Sequence, residues 1–124
     1  MSADPPAPVP RHFLRPCILL LLRESPAHGY DLLERLQPLG FARNDPGGLY
    51  RALRRLERDG FVRSVWEASD AGPDRRIYEL TRAGVEELHR RAKALAHGRT
   101  TLDVFLSRYG EFVSLEAVLE PARR

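Results

Sequence analysis

A chain of 124 residues with 43% hydrophobic and 30% charged residues has the length of one domain and an ordinary globular balance. Its longest apolar run, Cys17 to Leu22, falls far short of the roughly 20 residues a bilayer span needs. The N-terminus lacks the basic-then-apolar order of a secretory signal, so a cytoplasmic location is expected. One cysteine excludes an internal disulfide, and its apolar neighbours predict a buried, inert thiol. Net charge is +3, and of the 20 basic residues every one but Lys93 is Arg.

Residues 1–10 carry four prolines and read as a disordered lead-in. A first helix is predicted from Arg11 or Pro16 to Glu24. Pro16 suits a first turn, and Ile18 to Leu22 make the helix apolar almost all round, hence buried. Ser25 and Pro26 stop it. A second helix is predicted from Gly29 or Tyr30 to Leu39, with Tyr30, Leu33 and Leu36 at helical spacing. Pro38 and Gly40 end it. Asp45 and Pro46 open a third helix as N-cap and first helical residue. That helix runs to Asp59, and Gly60 provides its stop.

Val62 to Trp66 reads as a strand and Arg76 to Leu80 as its return, joined by a long turn containing Gly72-Pro73. Thr81 then caps a fourth helix. Val85, Leu88, Ala92, Leu95, Leu102, Phe105, Leu106 and Tyr109 form an apolar seam along it, a candidate dimer interface. Gly98 with Thr100, Thr101 and Asp103 is a candidate break, and Gly110 a stop. Ser114 to Glu120 adds a short helical turn. The predicted fold is mainly α with a small β-hairpin. Three helices followed by a hairpin is the winged helix-turn-helix order, here over residues 11–81, with residues 82–120 left for dimerisation.

The third helix is the most informative surface. At about 100° per residue, with Leu49 at zero, Leu53 falls near 40°, Leu56 near 340° and Ala52 near 300°. Arg54, Arg58, Arg51 and Arg55 fall between roughly 140° and 240°, opposite that stripe. Arginine presents a planar fork of donors that pairs with guanine O6 and N7 or clamps a phosphate. Base contacts come from the N-terminal part of such helices, which favours Arg51, with Gly47 and Gly48 allowing close backbone approach. The competing reading is a solvated face neutralised locally by Glu57 and Asp59.

Three stretches together resemble the PadR family of bacterial transcriptional regulators. They are Ala27-His28-Gly29-Tyr30-Asp31-Leu32-Leu33, the run Gly48-Leu49-Tyr50-Arg51-Ala52-Leu53 on to Gly60-Phe61-Val62, and Gly72-Pro73-Asp74-Arg75-Arg76-Ile77-Tyr78-Glu79-Leu80-Thr81-Arg82-Ala83-Gly84. Many members have Pro after the Leu-Tyr pair, where this chain has Arg51. The resemblance implies a homodimer held by the C-terminal helix, each subunit reading half of an operator. It also implies backbone contacts from Tyr50 and the wing arginines, and often repression released by a small molecule. Its short C-terminal portion resembles the compact subfamily.

The candidate DNA-binding set is His28, Tyr30, Asn44, Gly47, Gly48, Tyr50, Arg51, Arg54, Arg55, Arg58, Arg75 and Arg76. Trp66 reads as wing packing, and Phe105, Tyr109 and Phe112 as core or dimer packing, with a ligand-lining role as the other reading. An enzyme is not expected. His12, His28, His89 and His97 lack metal-ligand spacing, no Ser or Cys sits in a nucleophile motif, and Asp45-Pro46-Gly47-Gly48 lacks the P-loop lysine. No metal or cofactor is expected. The alternative to a DNA-binding repressor is a winged-helix module for protein–protein contact.

Overall fold

The computed structural model describes Pro10, residues 12–42 and residues 45–114. The predicted disordered lead-in, apart from Pro10, and the helical turn after Ser114 lie outside the described residues, as does Asn44. The chain divides into two compact units that part between Arg91 and Ala92.

In the first unit, helix α1 covers Leu14–Glu24 and buries Pro16, Cys17, Ile18, Leu19, Leu21 and Leu22. Ser25 leaves the helix in extended backbone, and Arg35 Nη2 donates to the Leu21 carbonyl at 2.9 Å. The same carbonyl accepts the Ser25 N–H at 3.1 Å, so Arg35 adds a second donor where α1 ends. Ala27–His28 forms a short strand, β1, that the sequence reading lacked. Two residues carry no detectable alternation, and this strand exists through its partner.

Helix α2 covers only Gly29–Arg35, shorter than predicted. A 3-10 turn over Gln37–Leu39 replaces its expected last turn. Pro38 is the cause, since it offers no N–H and disfavours helical backbone at Gln37. Gly40 then takes φ 100°, where a side chain would be strained.

Helix α3 covers Pro46–Arg58, with Asp45 as N-cap accepting from the Gly48 N–H at 3.0 Å. Leu49, Leu53 and Leu56 are fully buried, each stabilising by about 1.5–3 kcal/mol. Gly60, at φ 85°, ends the helix in the left-handed region. Strands β2 (Val62–Glu67) and β3 (Arg75–Leu80) pair antiparallel, and β1 joins the far edge of β3. In register, Val62 faces Leu80, Ser64 faces Tyr78 and Trp66 faces Arg76. The core lies where α1, α2 and α3 meet the buried ends of this sheet, at Val62, Ala27 and Tyr78.

Helix α4 covers Arg82–Tyr109, and its first ten residues belong to the first unit. Thr81 caps it: its hydroxyl accepts from the Gly84 N–H at 3.1 Å and donates to the Gly60 carbonyl at 2.6 Å. The start of α4 is thereby tied to the exit of α3. A Cβ at Gly84 would run into the Phe61 carbonyl oxygen, a backbone atom with little freedom to retreat. In the second unit the helix runs through Gly98 without a break. A helical glycine costs only about 1 kcal/mol. The Thr100 and Thr101 hydroxyls donate to the Ala96 and His97 carbonyls, both at 3.2 Å, so neither competes for an N–H.

Candidate nucleic-acid interface

The stripe that buries Leu49, Leu53 and Leu56 fixes what the rest of α3 can do. Arg51, Arg54, Arg55 and Arg58 are exposed. Neither nearby carboxylate forms an ion pair with them. Glu57 accepts a hydrogen bond from the Ser64 hydroxyl at 2.7 Å, and Asp59 pairs with Arg15 of α1 at 2.9 Å. Among the described residues, none of the four arginines has an ion-pair partner. Neither Glu57 nor Asp59 is tied by an ion pair to these four arginines.

The two glycines opening α3 have different local reasons. A Cβ at Gly48 would collide with the Asp45 carboxylate that caps the helix. A Cβ at Gly47 would stand 3.2 Å from Arg51 Nη1, so Arg51 lies back across the first turn. That places its guanidinium beside the helix N-terminus.

Tyr50 is 38% exposed and packs its ring against Gly29. A Cβ there would sit 2.5 Å from the Tyr50 hydroxyl oxygen and 2.6–2.7 Å from two ring carbons. The glycine of the His-Gly-Tyr triplet thus makes room for the tyrosine of α3. Sequence reasoning had no signal for this contact, because the two residues lie on different helices. Burial, and secondarily the neighbouring Tyr78, push the Tyr50 phenol above its ordinary range. It stays a neutral O–H that can donate to an anion.

His28 spends both ring nitrogens within the chain. Nδ1 lies 3.4 Å from Asp31 and Nε2 lies 3.1 Å from Glu67, so the histidine bridges α2 and the wing strand. Tyr30 is largely exposed at the start of α2. Arg75 and Arg76 are exposed on β3. Arg76 joins Tyr50, Arg54, Glu57 and Tyr78 in lining one small cleft between α3 and the wing. The structure therefore brings Tyr50, Arg54 and Arg76 together, with Arg51, Arg55 and Arg58 on the same helix.

The apolar positions of α4 fall into two groups. Leu88 packs against the first unit's core, and Val85 is exposed at 39%. In the second unit Leu95, Leu102, Phe105 and Tyr109 are all exposed in the single chain, Ala92 likewise, and Leu106 is half-buried. Phe105 and Tyr109 stack with ring centroids 6.3 Å apart. With Thr101, Val104, Arg108 and Phe112 they line a shallow, mostly apolar groove. Among the described residues no group of His, Cys, Asp and Glu could hold a metal ion, and no helix is long and apolar enough to cross a membrane.

The family model for the PadR-like transcriptional regulators matches residues 18–90. The chain belongs to that family. Its model covers α1 from Ile18, the whole wing and the first turns of α4, so a transcriptional regulator's fold carries the arginine face described above. A PadR-like transcriptional regulator from Bacillus cereus is similar at 29% identity and TM-score 0.67, over 75% of this chain and 90% of that one. The Bacillus subtilis PadR crystallised with operator DNA is 25% identical with TM-score 0.59, over 65% of this chain and 47% of that one. An uncharacterised 37.1 kDa protein of a Streptomyces fradiae transposon is 37% identical over 79 residues. That match takes in 64% of this chain but only 22% of the transposon protein.

Proposed function

We propose that this PadR-family regulator binds duplex DNA sequence-selectively as a homodimer and represses transcription until a small effector releases it. The observation that carries the reading is the outer face of α3, with four exposed arginines and both nearby carboxylates engaged elsewhere. On this reading α3 enters the major groove and Arg51, nearest the helix start, reads bases. Arg54, Arg55 and Arg58 meet phosphates with Tyr50, Arg75 and Arg76. Tyr30 reaches the backbone from the start of α2, and His28 holds the wing beside it. Gly47 and Gly48 form the approach to the groove, and Asn44 is assigned to the same contact set. The similar Bacillus subtilis PadR, crystallised with operator DNA, supports the assignment.

Dimerisation is proposed through the α4 seam, from Val85 and Leu88 through Ala92, Leu95, Leu102, Phe105 and Leu106 to Tyr109. Support comes from the apolar side chains left exposed in one chain, with Phe105 at 63% and Phe112 at 83%. A contiguous apolar patch of that kind marks an interaction surface. Two copies would set their α3 helices about one helical turn, roughly 34 Å, apart. An aromatic or lipophilic effector seated near Phe105, Tyr109 and Phe112 would act by favouring a dimer whose α3 spacing no longer matches. In this scheme residues 11–81 bind DNA, residues 82–120 dimerise and the protein works in the cytoplasm.

Fluorescence anisotropy against duplexes selected from genomic DNA, at several salt concentrations, tests the core of the reading. Six to ten phosphate contacts cost about 10³–10⁵ in affinity between about 50 and 200 mM salt. Arg51→Ala should cost about 1–3 kcal/mol on the preferred sequence and flatten selectivity. Arg58→Ala should weaken all sequences alike. Affinity indifferent to salt would refute DNA binding and leave the protein-contact module.

A further inference from the structure

Trp66, the sole tryptophan of the chain, has no role in the scheme above, and packing does not account for it. It is 66% exposed, so its large apolar surface gains little from the core. Its position is nonetheless specific. Alternation along β2 puts Trp66 on the same sheet face as Val62 and Ser64. Register sets it directly opposite Arg76. That face is the one turned toward α3, because Ser64 bonds Glu57 of α3 and Arg76 shares a cleft with Tyr50 and Arg54. The Arg76 guanidinium carbon stands 5.3 Å from the indole centroid, within the range at which a ring face attracts a cation.

Resting on the DNA-binding reading, we propose that Trp66 is a positioning residue: its indole fixes the Arg76 guanidinium on the α3 side of the wing, ready for a backbone phosphate. The physical point is what a ring face leaves free. A carboxylate partner would hold the arginine by occupying its N–H donors and cancelling its charge. Arg63 is held that way by Glu79 at 3.1 Å. A π face attracts the cation without accepting in-plane N–H bonds, so the five donors and the full charge stay available to an anion. Among the described residues Arg76 has no ion-pair partner, and Glu67, next to Trp66, is turned to His28. The long arginine side chain thus loses rotamer freedom before DNA arrives, which lowers the ordering cost of binding.

Two measurements test this. In the free protein, NMR should show the Arg76 side-chain protons shifted upfield by the indole ring current. The shift should vanish in Trp66→Ala and persist, reduced, in Trp66→Phe. With a labelled random-sequence duplex of about 30 base pairs at about 50 mM salt, Trp66→Ala should weaken binding about two- to fivefold. Trp66→Phe should restore part of that loss, and Trp66→Ala should change nothing in an Arg76→Ala background. Equal losses with and without Arg76, or no ring-current shift in the wild type, would overturn the proposal. Wild-type protein that binds the duplex no better than Trp66→Ala would overturn the positioning role alone. No duplex binding by the wild type, with the ring-current shift intact, would overturn the DNA reading beneath it. Trp66→Phe, with the smaller volume change, keeps the test open if Trp66→Ala melts early.

Discussion

Gly29→Ala places a methyl group where the Tyr50 ring now lies. The Gly29 φ lies outside the left-handed region, so its backbone alone would accept alanine. At the start of a helix, alanine would even gain up to about 1 kcal/mol of propensity. The obstacle is Tyr50: three of its atoms stand 2.5–2.7 Å from the new Cβ, roughly 1 Å inside ordinary contact. The ring is 38% exposed and can swing toward solvent, so the strain resolves by displacing it. Lost packing of this kind costs about 1–3 kcal/mol, leaving a net destabilisation of about 1 kcal/mol after the propensity gain. The effect on DNA binding should be larger than that on stability. On the proposed contact with a phosphate, moving the hydroxyl by about 1 Å or more would forfeit a bond to a charged acceptor, about 1.5–3 kcal/mol, or roughly tenfold or more in affinity.

Thermal melts and anisotropy titrations on three variants separate the terms. Gly29→Ala should lower both Tm and affinity. Tyr50→Phe should lower affinity with little change in Tm. The double variant should bind no worse than Tyr50→Phe, because the hydroxyl is already gone. A Gly29→Ala protein with wild-type affinity and Tm would refute the claim that this glycine exists for the tyrosine.

Three further outcomes rest on other side chains of the same fold. Burial pushes the Cys17 thiol up to about 11, so at about pH 8 only about one thiol in a thousand is ionised; a colorimetric thiol reagent should label it only after denaturant is added, and rapid labelling of the native protein would contradict its burial. Hydrogen bonds from Arg91, then Arg90, hold the Glu87 carboxyl below its usual range despite partial burial. The stability this contributes is present above the ordinary glutamate range and is lost as pH falls through the lowered folded value, so the Tm gap between wild type and Glu87→Gln should close in acid, and a gap constant from about pH 7 to 3 would contradict it. Leu95→Asp should yield monomers by light scattering at micromolar concentration and poor DNA binding, since a charge in a dimer seam is desolvated without a partner; a wild-type monomer would remove the basis for that seam.

How much was legible in the sequence depended on sequence separation. The Asp45 cap, the Gly60 stop, the Thr81 cap and the buried Leu49, Leu53 and Leu56 all follow from residues within four positions of one another. Helical periodicity and capping chemistry suffice for those. What could not be read was where each side chain ends. Glu57 and Asp59 stand among the arginines in sequence, yet their partners are Ser64 across a strand and Arg15 on another helix. His28 meets Glu67 across 39 positions, and β1 is a strand only because β3 lies beside it. Pro38 predicts a stop for α2 near Leu39, but its effect on the preceding residue brings the end forward to Arg35. Gly98 failed as a breaker because one glycine weighs little against a 28-residue helix. For the candidate interface, the residue types were visible early. Their freedom from internal partners, which gives them chemical meaning, became visible only with the fold.

That freedom carries a cost that bears on why α3 is built as it is. Arg51 and Arg54, Arg51 and Arg55, Arg54 and Arg58, and Arg55 and Arg58 are like charges three or four positions apart. Each such pair destabilises an isolated helix by about 0.2–0.5 kcal/mol, or about 1–2 kcal/mol for the four. Two features offset this. Arg55 and Arg58 lie in the last turn, where the helix dipole favours cations. More important, burying Leu49, Leu53 and Leu56 contributes several kcal/mol, far more than the repulsion removes. The helix therefore owes its stability to the inner face and carries on the outer face a charge density it could not sustain alone. A polyanion laid against that face would relieve the repulsion as well as add contacts. A neutral protein surface would gain nothing from such a load, whereas an acidic partner, and the phosphates of the proposed duplex above all, recovers it on binding.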